Sequence, residues 1–434
     1  MAKRRKKKSN KKKKNNKILK YIVIIIFLLI ILYVFYNYLI ADIILLKSQK
    51  LEGQINDYYI YGTHLNVEGS INIDNSNVTK KDIKLILSNG YSFKNIKSEI
   101  NIEGKKAYFS FSDEINSGLN LEKLKYGNWY LFIKINNNYY SLKDVTGYKS
   151  VNYYTITKKN SNNNIKTKSG KKYNHNYFSI VVRKSTLPKD VYDITIDPGH
   201  GGIDTGSYYN INGKTYYESD IVYEISLKAK KLLEEKGYKV LLTRNSNDNL
   251  DYYGKNGRAT LPNKYKTKLS FSIHLNSDYG VMNYGGVEVY IPNDCNTKFA
   301  KSIAQSIVNI TGVDYSKKIN NKLYKGVYYN YYDSDTILEK KIESVNNGYE
   351  PYDIQIGAPE MYMIREVGGK ATMAYIDGRV KEHGKNPYFN SNQTAESYLI
   401  EMGYISYKED LYKLIDNPNS FARGLIEAIS DYLK

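Results

Sequence analysis

Residues Tyr21 to Tyr36 read YIVIIIFLLIILYVFY, an unbroken apolar run that continues past a single Asn37 to Ala41. A helix needs roughly 20 apolar residues to cross a bilayer core, and this run meets that length. It constrains the chain more than any other feature, because every folded part must then lie on one side of a membrane. Ahead of it the first 20 residues hold 12 Lys or Arg and no acid. Such a flank stays in the cytoplasm. The sequence therefore predicts a basic cytoplasmic tail over 1–20, one transmembrane signal anchor over 21–41, and an extracytoplasmic remainder. A cleaved signal would show small residues before its cleavage point, and the segment YNYLIADI shows no such pattern.

The tail also explains the charge. The formal net charge is +20, from 64 Lys and Arg against 44 Asp and Glu; without the 12 tail cations the rest carries 52 − 44 = +8. Nucleic-acid binding needs a folded basic reader, and only a tail is basic here, so no nucleic-acid partner is expected. One cysteine, Cys295, excludes an internal disulfide and a cysteine-based zinc knuckle. Any metal must be held by His and carboxylates. At 434 residues the chain exceeds the roughly 250–300 that one core organises, which predicts two folded units.

From about Leu51 to Ser185 short β-rich runs such as HLNVEGSINI, KDIKLILS, NWYLFIKI and YFSIVVR alternate with Asn, Ser, Gly and Lys clusters. Strands at this spacing predict an all-β, sandwich-like domain over 51–186, a spacer or wall-binding module with no catalytic constellation. The polar stretch KKNSNNNIKTKSGKKYNHN reads as a loop. From Val191 the pattern becomes strand alternating with helix: VYDITID, then SDIVYEISLKAKKLLEEKG, YKVLLTR, LSFSIHL, GGVEVYI, KFAKSIAQSIVNITG, SYLIEMG and FARGLIEAISDYL. This predicts an α/β domain over 190–434 with a mostly parallel sheet flanked by helices, whose ligands collect at the carboxyl ends of the strands.

Three residues fall at that end. His200 lies in the turn DPGHGG after the strand VYDITID, Glu218 stands before the long helix, and His274 ends LSFSIH. Two imidazoles and a carboxylate with a fourth position open to water are the usual donor set of catalytic zinc. Singly each residue reads as a turn or a helix-start acid; together they predict a Zn2+ site.

The segments ITIDPGHGGIDTGS, YYESDIVYEISLKAKKLLEEKGYKVLLTR, NGRATLPNKYKTKLSFSIHLNS, GGVEVYI and YLIEMGYISYKEDL resemble, in order and spacing, those of the zinc-dependent N-acetylmuramoyl-L-alanine amidases. The resemblance covers about residues 191–434. It implies that His200, Glu218 and His274 ligate zinc and that Glu401 is the catalytic acid/base. The expected reaction is hydrolysis of the amide between N-acetylmuramic acid and L-alanine of peptidoglycan, by a cell-membrane protein facing the wall. An amide is a poor electrophile with a poor leaving group, so the metal must activate both water and carbonyl, and a carboxylate must move the proton.

The chain departs from the family pattern in extra stretches around 323–360 and 370–394 and in Tyr404 and Tyr407 of the last motif. Glu366, in MIREVGG, sits where the family tends to have an Arg-Glu pair and is the runner-up for the general base. Ser272 and Cys295 read as structural. The alternatives are a non-catalytic peptidoglycan-binding or regulatory protein of the same fold and a zinc peptidase acting on stem peptides. As a test of topology, residues beyond 42 are expected to be cut by protease added to intact protoplasts, whereas a soluble protein starting near residue 42 would mean a cleaved signal.

Overall fold

A computed structural model describes residues 20–31, 42–73, 77–111, 118–157, 162–248, 252, 254–280, 284–292, 297–348, 356–369, 386–388 and 391–434. Residues 20–31 are helical, and the apolar ones among them are exposed. The rest of the expected anchor, 32–41, lies outside the described residues. Among those described, no helix is long and apolar enough to cross a membrane. Cys295 also lies outside the described residues.

The N-terminal half is β-rich. One sheet runs β10 (Leu142–Asp144), β1 (Gly53–Tyr61), β2 (His64–Asn72), β6 (Lys106–Ser110), β5 (Glu99–Glu103), with β7 (Leu119–Asn120) beside β2. The other runs β11 (Asn152–Tyr154), β12 (Asn162–Lys172), β13 (His175–Ser185), β8 (Gly127–Ile135), β3 (Ile83–Ser88), β4 (Phe93–Ile96), with β9 (Asn138–Tyr140) beside β8. Alternate residues of both sheets, among them Ile55, Val67, Phe109, Leu85, Trp129, Leu131, Ile165 and Ile180, meet in one apolar core. Alternation of side chains is what lets a strand feed such a core from one face.

Residues 162–172 of the polar stretch read as a loop form a strand. β12 pairs with β13 along eleven residues, from Asn162 opposite Ser185 to Lys172 opposite His175. Lys166 and Lys168 fall on the outer positions, while Ile165 and Thr167 are buried, so two inward side chains in period 2 suffice. The hairpin closes on Tyr173 and Asn174, both with positive φ (52° and 65°), the geometry of a two-residue turn matched to strand twist.

The second half is an α/β domain. Its sheet runs β17 (Val240–Leu242), β14 (Ile194–Pro198), β18 (Leu269–Asn276), β23 (Glu396–Tyr404), β19 (Glu288–Tyr290), β21 (Val327–Tyr328), β20 (Lys322–Tyr324). The expected mostly parallel sheet is in fact mixed: β17, β14, β18 and β23 are mutually parallel, but β19 runs antiparallel to β23 and β20 to β21. Helices α1 (Glu218–Glu235), α2 (Thr297–Thr311) and α6 (Pro418–Tyr432) cover one face through Ile225, Ile303 and Leu425, while α4 (Tyr362–Gly368) covers the other through Ile364. Helix α3 (Ser334–Asn346) lies between α2 and α4 in the chain, and α5 (Lys408–Asp416) directly precedes α6. The extra stretch 323–360 supplies β21 and α3; most of 370–394 lies outside the described residues.

Strand β18 shows how the sequence sorts the two faces. In LSFSIHLN, Leu269, Phe271, Ile273 and Leu275 enter the core under the long helices, so Ser270, Ser272, His274 and Asn276 face the opposite way. Because β14 is followed by β17 on one side and β18 on the other, the strand order reverses at the carboxyl ends of β14 and β18, where ligands bind in such sheets.

The two halves share backbone. β22 (Gln393–Thr394), just ahead of β23, pairs in parallel with β1, Ile60 opposite Gln393 and Tyr61 opposite Thr394. Beside this seam Glu396 is wholly buried and accepts from the hydroxyls of Tyr398 and Tyr432. Burial raises its pKa to about 8, against the lesser opposing pull of Tyr432. The folded chain thus keeps a proton that the unfolded chain releases above its ordinary 4.5, so this group makes stability fall as pH rises through that window and level off above about 8. Urea unfolding between pH 5 and 8 is expected to show that decline, and Glu396→Gln to flatten it. An unchanged slope in the variant would place its origin elsewhere.

Candidate metal centre

Strand β14 ends in Asp197-Pro198 and runs into a turn that no ordinary loop would hold. His200 has φ +55°, followed by Gly201 and Gly202 at +122° and +61°. The left-handed region costs a side chain roughly 1–2 kcal/mol, so neighbours must fix it. Two buried arginines do so. Arg258 NH1 donates to His200 O at 2.9 Å and its NH2 to Pro198 O, while its Nε reaches Asp197 Oδ1 at 2.9 Å. Arg244 donates to Pro198 O, Gly199 O and Ser219 O, each at 2.9 Å. The turn therefore has its carbonyls pointed inward at two guanidinium groups and its histidine pointed outward.

Asp197 anchors the brace. Fully buried, it accepts from Thr243, Arg258 and Ser272, the last at 2.7 Å. Burial alone would raise its pKa, but Arg258 and the two hydroxyls hold it below the usual carboxylate range. Ser272, read as structural, has this structural role. Gly199 is required by closeness: a Cβ there would stand 2.5 Å from the His274 ring.

The structure brings His200, Glu218 and His274 together. Glu218, the first residue of α1, is buried; its Oε1 meets His200 Nε2 and His274 Nδ1, each at 3.1 Å, and accepts from Leu275 N at 2.9 Å. Its Oε2 accepts from Ser207 N at 3.0 Å. The two rings lie 4.9 Å apart, nearly perpendicular, and one donor atom from each residue falls within 4.8 Å of the others. Donors about 2.0–2.2 Å from one tetrahedral ion stand roughly 3.3 Å apart, so the group could hold a metal. Asp204 Oδ2 receives the other nitrogen of His200 at 2.9 Å, the carboxylate–histidine pairing that fixes a ligand's tautomer. Burial opposes charge on His200, yet Glu218 and Asp204 outweigh it and raise its pKa; reciprocally Glu218, despite burial, is pulled far down by the two histidines.

Glu401 is in register with His274 on one side and Glu288 on the other. Three adjacent strands thus present His274, Glu401 and Glu288 in a row on one face. Glu401 Oε2 is enclosed and has no hydrogen-bond partner among the described residues. Burial first, then the nearby Glu218 and Glu288, hold its carboxyl well above the usual range. Glu288, which sequence reasoning missed, is fully buried and accepts from Asn276, Ser316, Tyr290 and Tyr404. The Tyr404 departure is therefore a donor to this acid, and Tyr407 lies where a Cβ on Gly285 would be 2.2 Å away. Glu366 lies elsewhere, on α4, with one oxygen taken by Arg365 at 3.1 Å and the other by Asn386 at 3.0 Å.

Asp204, Arg244 and Arg258 were also missed as site residues, although each lies within a motif segment; arginines acting on backbone carbonyls leave no periodic signal. Removing one partner of a buried ion pair costs about 3–5 kcal/mol, so Arg258→Met is expected to lose that much in urea unfolding, while the exposed Arg423→Met stays within about 0.5 kcal/mol. Equal costs would mean that the brace is not structural.

The sequence model of N-acetylmuramoyl-L-alanine amidase matches residues 194–351, which include His200, Glu218 and His274 and stop short of Glu401. The germination-specific N-acetylmuramoyl-L-alanine amidase of Bacillus subtilis (strain 168) is 34% identical over 103 residues, 21% of this chain and 42% of that protein. The sporulation-specific N-acetylmuramoyl-L-alanine amidase of the same organism is 31% identical over 134 residues, 30% of this chain and 48% of that protein. This chain spans less than half the length of either relative. Among solved structures, the N-acetylmuramoyl-L-alanine amidase AmiC2 of Nostoc punctiforme aligns over 57% of this chain and 99% of its own, at 20% identity and a TM-score of 0.36. The segment that carries the three converging donors, residues 194–351, thus belongs to the N-acetylmuramoyl-L-alanine amidase family.

Proposed function

We propose that this chain is a zinc-dependent peptidoglycan amidase, held at the cell membrane by residues 21–41, which cleaves the amide between N-acetylmuramic acid and the L-alanine of the stem peptide. The observation that carries the reading is the meeting of His200, Glu218 and His274 at one point, in register with a carboxyl whose Oε2 has no partner. His200 Nε2, Glu218 Oε1 and His274 Nδ1 would hold the ion. A zinc ion there supplies Lewis acidity toward the amide carbonyl and the attacking water. Asp204 keeps the His200 ring oriented, and the arginine brace keeps its backbone in place.

Glu401 does the proton work. Its Oε2 takes a proton from water as the water attacks the carbonyl carbon, and returns it to the alanine nitrogen as the C–N bond breaks, leaving a free carboxylate and a free amine. A carboxyl with raised proton affinity suits both halves of that transfer. Glu288, saturated by four donors, has no free lone pair for such a role, and both oxygens of Glu366 are engaged.

Digestion of defined muropeptides with and without chelator tests the reading: new N-terminal L-alanine marks an amidase, other new amines a stem-peptide peptidase, and no cleavage a binding protein. Replacing His200, Glu218 or His274 by Ala is expected to remove bound zinc together with activity. Glu401→Gln is expected to keep zinc and lower the rate about 100- to 10,000-fold, with Glu366→Gln doing less. A full equivalent of zinc in all three ligand variants, or an active Glu401→Gln, would contradict these assignments.

A further inference from the structure

Between His200 and Glu218 the chain forms a hairpin, β15 (Tyr208–Ile211) and β16 (Lys214–Tyr217), turning at Asn212 and Gly213 with φ of 52° and 81°. Its inner face, Tyr209, Ile211 and Tyr216, packs on the core of the α/β domain. Its outer face carries Tyr208 and Tyr217, cross-strand partners with ring centroids 6.2 Å apart. The hairpin is fastened to the metal cluster: Ser207 N donates to Glu218 Oε2 at 3.0 Å, and Glu218 N donates to Ser207 O at 2.8 Å. It is also fastened to the loop that follows His274, through Ser207 Oγ to Ser277 Oγ at 2.9 Å and Tyr279 OH to Tyr208 O at 2.6 Å. That loop thereby brings a third ring to the same edge.

All three rings remain open to solvent: Tyr208 is 58%, Tyr217 38% and Tyr279 66% exposed. In a chain with 47 tyrosines exposure alone means little. Position distinguishes these three, since Tyr217 directly precedes Glu218 and Tyr279 hangs from the loop after His274. Fixed aromatic faces with hydroxyls at their edges complement a pyranose ring, which shows C–H groups on its faces and hydroxyls on its rim. A stem peptide with its carboxylates would instead call for cations, and the hairpin's one lysine, Lys214, sits over the Tyr216 ring at 4.7 Å.

We propose that Tyr208, Tyr217 and Tyr279 form the saccharide-binding rim of this centre, stacking on a pyranose ring of the glycan while the amide on its lactyl arm enters the metal cluster. This rests on the amidase reading above. The test uses the full zinc-loaded chain and two substrates with the same scissile amide, a disaccharide-peptide and a lactoyl-peptide without sugar. Tyr208→Ala and Tyr279→Ala are each expected to raise KM for the disaccharide-peptide roughly 3- to 10-fold with little change in kcat. The corresponding Phe variants, which keep the ring, should recover it, and the defect should vanish on the lactoyl-peptide. No rise in KM on the sugar-bearing substrate, or an equal rise on both, overturns the proposal. If the wild type cuts neither substrate, the amidase reading fails by itself. The rim is then judged by calorimetric titration with an N-acetylhexosamine tetrasaccharide: weaker binding by Tyr208→Ala upholds it, and equal or absent binding overturns it.

Discussion

Two guanidinium groups directed at the backbone of one turn are the constraint on which the rest of the site depends. Between Asp197 and Gly202 the chain must leave a parallel strand and expose an imidazole within a few residues, and its carbonyls end up inside. Unpaired, each buried carbonyl would cost about 1–3 kcal/mol. Arg244 and Arg258 satisfy those of Pro198, Gly199 and His200, and Asp197 offsets the charge of Arg258. With its backbone fixed, the imidazole meets Glu218 through one nitrogen and Asp204 through the other.

The α/β sheet separates its chemistry by face. Toward the long helices it shows Ile194, Ile196, Phe271, Ile273, Tyr398 and Ile400; away from them it shows Asp197, Ser272, His274, Glu401 and Glu288. Glu288 and Glu401 on the second face lie near Glu218 of α1, and each of these three acids is tolerated differently. Glu218 is ionised against two histidines. Glu288 is saturated by four neutral donors. Glu401 has neither and retains its proton more tightly. Ion pairing, neutral donors and a retained proton thus accommodate three neighbouring acids.

Much of this was legible because it is periodic. LSFSIHLN displays both faces of β18 in its letters, and the resemblance across 191–434 directed attention to His200, Glu218 and His274, which the fold brings together. What escaped reading was set by partners distant in sequence. Nothing in NNNIKTKSGKK signals a strand until β13 supplies eleven residues of pairing. The antiparallel entry of β19 beside β23, which makes the sheet mixed, depends on how the connection around 284–287 is routed, and no local pattern encodes that. Arg244 and Arg258 act on backbone carbonyls and Glu288 on groups as distant as Tyr404, so their roles appear only in three dimensions.

The seam between β22 and β1 lies a short way along the chain from Glu401. Ile60 N donates to Asn392 O at 2.8 Å and Gly62 N to Thr394 O at 3.0 Å, and the residue after Thr394 and Ala395 already begins the strand that ends at Glu401. At about 3.3 Å per residue, Glu401 lies only some 23 Å along the backbone from the sandwich. A displacement of β1 along its axis is therefore opposed by two hydrogen bonds in line with the strand that carries Glu401.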